Sequence, residues 1–299
     1  MRQGEGGEQG DPFMPALFCL GIHDVLHNIN SSLHANEYVV AYLDDIYIIA
    51  GRDRTKTIYD ELTDALRKNA GIEPNLGKTE AWSPAGGSAP VDIATLNIEG
   101  APPVWKSDLS EELNGITVLG VPFGSNAFVE ASMEERLNKQ QSLMDQLHLV
   151  GKAQNEWLLL YYCCNPRATY FLRTGKPSQM RNYARKHDAM ILKAFCDIMG
   201  LNVSEIDPHI LAQIHLPLRM GGLGLRDHGK ILAAAYWSSW ADVLPLLCKR
   251  MPWYGDWFLS EMQKENKIEV FKDLHQCVSN LTTSGYIPPE RKKIGMDGN

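Results

Sequence analysis

No stretch of this 299-residue chain holds the roughly 18 uninterrupted apolar residues that a membrane-spanning helix needs. The longest apolar run, residues 38–50, is broken by Asp44-Asp45. The start, Met1-Arg2-Gln3-Gly4-Glu5-Gly6-Gly7, lacks the apolar core of a secretory signal. Cysteines are few, six in all, and no two stand in a Cys-x-x-Cys pair. That excludes a disulfide framework and a zinc-finger pattern. Neither an internal repeat nor a low-complexity tract is present. These absences predict an intracellular protein, nuclear or cytoplasmic, with no membrane partner. With 44% hydrophobic and 22% charged residues the composition is that of a folding chain, and the length suits about two domains.

Positive charge is also scarce. Lys and Arg number 29 against 36 Asp and Glu, a formal charge of −7, which argues against a surface that coats nucleic acid throughout. The average conceals one segment. Residues 161–193 hold Arg167, Arg173, Lys176, Arg181, Arg185, Lys186 and Lys193 against a single acid, Asp188, so this window is +6 and the remainder −13. Tyr161, Tyr162, Tyr170, Phe171 and Tyr183 are interleaved with the cations. Bases stack on aromatic rings while cations follow phosphates. Arg167, Arg173, Lys176, Arg181 and Lys186 are therefore candidate nucleic-acid contacts. The competing reading is a helical core with solvated basic faces, in which Tyr161 and Tyr162 pack inward.

Asp11-Pro12 reads as a helix start, with Asp as the N-cap and Pro at the first helical position. Leu17, Phe18, Leu20, Val25, Leu26 and Ile29 follow at near-helical spacing. Two runs rich in β-branched and aromatic residues, 38–43 and 46–50, are separated only by Asp44-Asp45 and predict a hairpin with an acidic tip. Residues 57–69 predict an amphipathic helix stopped by Gly71, with Lys78 in a short turn or strand beyond it. Residues 83–103, rich in Pro, Gly, Ala and Ser, read as an insertion or linker. Residues 115–124 read as a strand with a Gly-Val-Pro bend. From Glu130 the pattern is mostly helical, interrupted at Asn165-Pro166, at Gly175-Lys176-Pro177 and over residues 216–227. The expected fold class is α+β, with a mixed unit over residues 1–125 and a helical unit over 126–299.

Paired carboxylates between apolar strands need an explanation, because burying an unpaired carboxylate is costly. At a hairpin tip both can face a cleft and share a hard cation such as magnesium. In two-metal phosphoryl transfer, such ions hold the attacking and leaving oxygens. A solvated Asp-Asp turn is the plainer alternative. The surroundings bear on the choice. Tyr42-Leu43-Asp44-Asp45 has the form Tyr-x-Asp-Asp and comes after Gln9-Gly10-Asp11-Pro12 and its helix. Lys78-Thr79 comes after the next helix, and Leu119-Gly120 after that.

This ordered set resembles the palm of reverse transcriptases of the non-LTR retrotransposon (long interspersed element) type over residues 3–125. The helical region with its basic segment, and Leu216-Pro217-Leu218-Arg219-Met220-Gly221-Gly222-Leu223-Gly224-Leu225, resembles the regions after the palm in such elements. The resemblance implies an α+β fold: an incomplete polymerase palm, an antiparallel sheet with the acidic hairpin plus helices, succeeded by a helical thumb-like region. It implies RNA-directed DNA polymerase (nucleotidyltransferase) activity with two Mg2+ ions. An RNA template, a DNA primer and deoxynucleoside triphosphates are the implied partners. Asp44 and Asp45 would ligate magnesium, and Tyr42 would lie beside the primer end. Gln9, Gly10 and Pro12 would shape the nucleotide pocket, and Lys78 would meet the leaving pyrophosphate. Leu119 and Gly120 would grip the primer.

Members of the family carry a further catalytic aspartate upstream of Gln-Gly-Asp-Pro, and Asp11 cannot replace it. The expectation is that this chain does not polymerise by itself. The alternative function is a non-catalytic retrotransposon relic that binds nucleic acid or a partner. An unrelated phosphate-binding enzyme is disfavoured: Gly77-Lys78-Thr79 would end a P-loop only with Gly where Ile72 stands, and it comes after a helix. Gly222-Leu223-Gly224 lacks the third glycine of a dinucleotide fingerprint, Asp227 occupying that place, and reads as a tight bend. His23 and His27, with Cys19 one turn before, have metal-ligand spacing, but a packed or surface helix explains them as well. Cys163-Cys164 read as buried thiols, and Trp237, Trp240, Trp253 and Trp257 as helical core.

Overall fold

The computed structural model describes residues 10–264 and 268–285. The chain is mixed α+β and mostly helical, with two small antiparallel sheets, and separates into two compact units, Met1–Ser125 and Asn126–Asn299. Gln9, expected at the nucleotide pocket, lies outside the described residues.

In the first unit, α1 (Met14–Ser32) precedes β1 (Tyr38–Tyr42), β2 (Asp45–Ile49) and α2 (Thr55–Ala70). Helix α1 begins later than the sequence suggests. Asp11 accepts the Phe13 N–H in a local turn (2.9 Å), and the proline inside the first helical turn is Pro15. The same short carboxylate that caps helices also closes Asx turns, so composition does not separate the two. Helix α2 buries Ile58, Leu62 and Leu66, four residues apart, along one face. Each such side chain contributes about 1.5–3 kcal/mol relative to exposure. Gly71 ends the helix at φ +66°, a conformation that glycine adopts without steric penalty.

Residues 83–103, read as an insertion or linker, contribute to a small core of their own. The short helix α3 (Val91–Ala94) seats Ile93 against Val104 and Trp105, all buried. Arg52 lies over the Trp105 ring, 5.0 Å from its centroid, and donates to the Gly86 carbonyl. Trp105 in turn donates to the Gly87 carbonyl (2.8 Å). Residues 115–124 form a hairpin, β3 (Gly115–Val118) and β4 (Val121–Gly124), instead of one bent strand.

The second unit runs α4 (Asn126–Met144), α5 (Ala153–Leu159), a π-helical turn over Leu160–Cys164, α6 (Thr169–Thr174) and α7 (Pro177–Met199). It continues with α8 (Pro208–His215), α9 (His228–Arg250), α10 (Pro252–Glu261) and α11 (Glu269–Thr283). One core joins α4, α6, α7 and α9 through Met133, Leu137, Leu172, Met180, Tyr183 and Leu232. A second lies under α5, α7 and α8, and a third joins α9 to α10 and α11. Among the described residues α9 alone is long and apolar enough to cross a membrane by length and composition, and it packs against α6, α7, α10 and α11.

Several expected core residues are at the surface instead. Tyr162 is 67% exposed, Trp253 50% and Trp257 41%, and Cys163 is exposed while Cys164 is buried. Within the π turn Leu160 and Cys164 are the buried positions, and Tyr162 and Cys163 fall between them, exposed. Trp237 and Trp240 do pack on the third core. The bend at Gly222 is obligatory: a Cβ there would stand 2.1 Å from the Leu216 carbonyl oxygen.

Candidate active-site hairpin

Strands β1 and β2 pair from Tyr38↔Ile49 to Tyr42↔Asp45, leaving Leu43-Asp44 as a two-residue loop. Alternation along the strands sends Val39, Ile46 and Ile48 toward α1 and α2, where they join Ile22, Val25, Ile58 and Leu62. The opposite face carries Val40, Tyr42, Asp45 and Tyr47, of which Val40, Tyr42 and Asp45 are exposed. Leu43 takes φ +55° while Asp44 does not have positive φ, the sign pattern of a type II′ turn. Positive φ costs a residue with a side chain about 1–3 kcal/mol. The short loop presents Asp44 and Asp45 to solvent, with Tyr42 paired across from Asp45.

Two attachments fix this hairpin in its unit. The Asn30 amide of α1 pairs with the outer edge of β1: the Val39 N–H donates to Asn30 Oδ1 (3.1 Å), and Asn30 Nδ2 donates to the Val39 carbonyl (2.8 Å). Glu37, just before β1, is buried and accepts from Arg54 Nε at 3.1 Å, at the start of α2, and from the His34 N–H at 3.0 Å. The Arg54 hydrogen bond, helped by the His34 N–H, holds the Glu37 carboxyl below the usual range.

The second hairpin meets the first. Leu119 and Gly120 form its two-residue loop, with φ +48° and +80°, the sign pattern of a type I′ turn. The Leu119 N–H donates to the Tyr47 hydroxyl (3.3 Å), so the Leu119-Gly120 turn touches the acidic hairpin. Lys78 ends a 3₁₀ turn, Leu76–Lys78, capped by Asn75, whose side chain accepts the Gly77 N–H. It is exposed and forms no ion pair among the described residues. Gly10 and Pro12 are exposed ahead of α1.

The donors at the hairpin are of the right kind for magnesium, hard carboxylate oxygens. They are too few for two ions. Among the described residues, no third His, Cys, Asp or Glu gathers with Asp44 and Asp45 to make a three-donor group.

The basic segment lies on α6, α7 and the turns before them. Three of its seven cations are met by acids from other helices of the same unit. Arg173 pairs with Asp242 of α9 (3.0 Å), Lys176 with Glu269 of α11, and Lys186 with Glu134 of α4 (2.5 Å). Arg167 is exposed and donates to the Cys163 carbonyl (2.8 Å). Arg181 is exposed with no ion pair among the described residues. His23 and His27 stack on the exposed side of α1, ring centroids 6.2 Å apart.

Sequence reasoning passes over one polar cluster, His187, Asp188 and His228, because His228 stands forty residues from Asp188. No family model, no curated protein and no solved structure matches this chain.

Proposed function

We propose that this chain carries part of the palm and a thumb-like region of a reverse transcriptase of the non-LTR retrotransposon type. In this reading it serves template-directed DNA synthesis from RNA. The observation that carries the reading is the exposed Asp44-Asp45 pair on a two-residue hairpin, with Tyr42 beside it and the Leu119-Gly120 turn bonded to its Tyr47. In the reaction a primer 3′-hydroxyl attacks the α-phosphate of a deoxynucleoside triphosphate, and pyrophosphate leaves. Bound Mg2+ would stabilise the attacking and leaving oxygens, with Asp44 and Asp45 among its ligands. Tyr42 would support the primer end, and Lys78 would offset charge on the pyrophosphate. Gln9, Gly10 and Pro12 would border the nucleotide, Leu119 and Gly120 the primer, and Arg167, Arg173, Lys176, Arg181 and Lys186 the duplex. Two carboxylates are one short of a bridged two-metal site, so the chain in isolation is expected not to polymerise.

The test is primer extension by a longer protein that contains this sequence and is active. Asp44→Ala with Asp45→Ala is expected to abolish synthesis while leaving hybrid binding in place. Retained synthesis in the double variant would remove the assignment. The second reading is a relic that binds nucleic acid or a partner without catalysis. The short donor count at the hairpin favours it for this chain alone. Binding of an RNA–DNA hybrid by the isolated chain, weakened by Arg181→Glu, supports that reading, and no hybrid binding at low salt counts against it.

A further inference from the structure

His187 and Asp188 sit side by side on α7, and His228 opens α9. Both imidazoles are completely buried. His228 Nδ1 lies 2.7 Å from Asp188 Oδ1, and the rings of His187 and His228 meet edge to face with centroids 4.6 Å apart. Three ring nitrogens, His187 Nδ1, His187 Nε2 and His228 Nε2, have no hydrogen-bond partner. One donor atom from each of the three residues lies within 4.8 Å of the others.

We propose that His187, Asp188 and His228 form a binding site for one divalent transition ion of the zinc class. Buried imidazole nitrogens are rarely left unpaired, and here two buried rings meet beside a carboxylate, with a donor atom from each of the three residues close to the others. Asp188 also sets the orientation. Its Oδ1 accepts both the His228 backbone N–H (3.0 Å) and the ring, and its Oδ2 accepts the Gly229 N–H (2.9 Å). Because a carboxylate only accepts, the metal-free His228 ring carries its proton on Nδ1; an ion seated between that nitrogen and Asp188 would displace the proton to solvent and take both groups as ligands. Each carboxylate oxygen has a second lone pair, so accepting these bonds does not prevent Asp188 from ligating.

Burial, with His228 as a neighbour, pushes His187 from its ordinary 6.5 down to about 4, so it is neutral near pH 7 and its lone pair is available. Two nitrogens and one oxygen suit zinc, whereas magnesium prefers oxygens alone. Tetrahedral zinc at about 2.0–2.1 Å from each donor sets the donors about 3.3 Å apart, so the 2.7 Å His228–Asp188 pair would open slightly to admit the ion. Three protein ligands leave a fourth position for water or another small ligand. The ion would tie the middle of α7 to the start of α9. This inference does not depend on the polymerase reading.

The experiment uses the full chain with Cys19→Ser, Cys163→Ser and His23→Gln, which remove the exposed thiols and the exposed histidine pair as competing ligands. The protein is stripped with a chelator and dialysed against zinc or cobalt(II). About one equivalent is expected to remain bound. The cobalt form should show intense visible bands of a low-coordinate site without sulfur-to-cobalt charge transfer. Zinc, but not magnesium, should raise the unfolding midpoint. His187→Gln or His228→Gln should lose the ion. If those variants do not fold, the cobalt spectrum of the parent protein decides. No retained ion, a thiolate charge-transfer band, or full binding in folded variants of both histidines would overturn the site.

Discussion

Asn30 holds the outer edge of the acidic hairpin, and its substitution gives a sharp test of how that hairpin is positioned. Its amide exchanges two hydrogen bonds with Val39 and gives a third to the Leu26 carbonyl (2.9 Å), as a neighbouring strand residue would occupy the free edge of β1. A typical protein hydrogen bond is worth about 0.5–1.5 kcal/mol net, so losing the two to Val39 in Asn30→Ala is expected to cost about 1–3 kcal/mol. Water reaches the exposed edge and limits the loss.

Asn30→Asp is the stricter variant. It keeps an acceptor for the Val39 N–H but has no donor, and it sets a charged oxygen against two carbonyls. Near neutral pH it should be at least as unstable as the alanine variant. In mild acid the new carboxyl gains a proton, regains a donor and recovers part of the loss. Urea unfolding combined with amide exchange at Val39 reads both effects, with exchange accelerating about tenfold for each 1.4 kcal/mol of local destabilisation. An Asn30→Asp protein equal to the parent in stability and Val39 protection would refute this account of the hairpin edge.

The remaining expectations concern one backbone contact and one ion pair. Gly222→Ala would force a Cβ against the Leu216 backbone and should destabilise the second unit by about 1–3 kcal/mol or more. Gly229→Ala, whose nearest contact is an ordinary 3.4 Å, should change the urea midpoint little, and equal effects would contradict the reading. The Glu37 carboxyl is held below its usual range, so its stabilising contribution is complete above the ordinary carboxylate value and disappears as pH falls through the depressed one. Glu37→Gln should therefore flatten the acid limb of the stability–pH curve, and an unchanged limb would exclude the Arg54 pair as its source.

The sequence makes legible the features that local chemistry decides. The apolar face and terminal glycine of α2 are written within sixteen residues, and the β-branched runs around Asp44-Asp45 allow little besides a hairpin. In residues 83–103 Pro, Gly and Ser report turns, whereas the packing on Trp105 comes from Arg52, far away in the chain, and is not legible locally. Tyr162 and Cys163 mislead because an apolar run around a helix does not say which of its positions face the core, and Leu160 and Cys164 take those places. The aspartate pair is visible as a motif, whereas the hairpin's tie to Leu119 through Tyr47 spans seventy-two residues. The histidine cluster joins two helices that only folding brings together.

The inter-helix ion pairs of the basic segment alter how any polyanion would be held there. Binding a nucleic acid ordinarily gains entropy by releasing condensed cations, about one for each phosphate neutralised. Arg173, Lys176 and Lys186 already neutralise Asp242, Glu269 and Glu134. A phosphate that captured one of these cations would free a carboxylate, which would take up a cation from solution and cancel part of the release. Salt dependence would then be shallower than a count of basic residues implies, and it would steepen when Asp242, Glu269 or Glu134 is made neutral. The acids would act as an internal competitor, exchanging one anion for another instead of offering bare charge, and would weaken attachment to arbitrary polyanions more than to one whose phosphates match the spacing of the three cations.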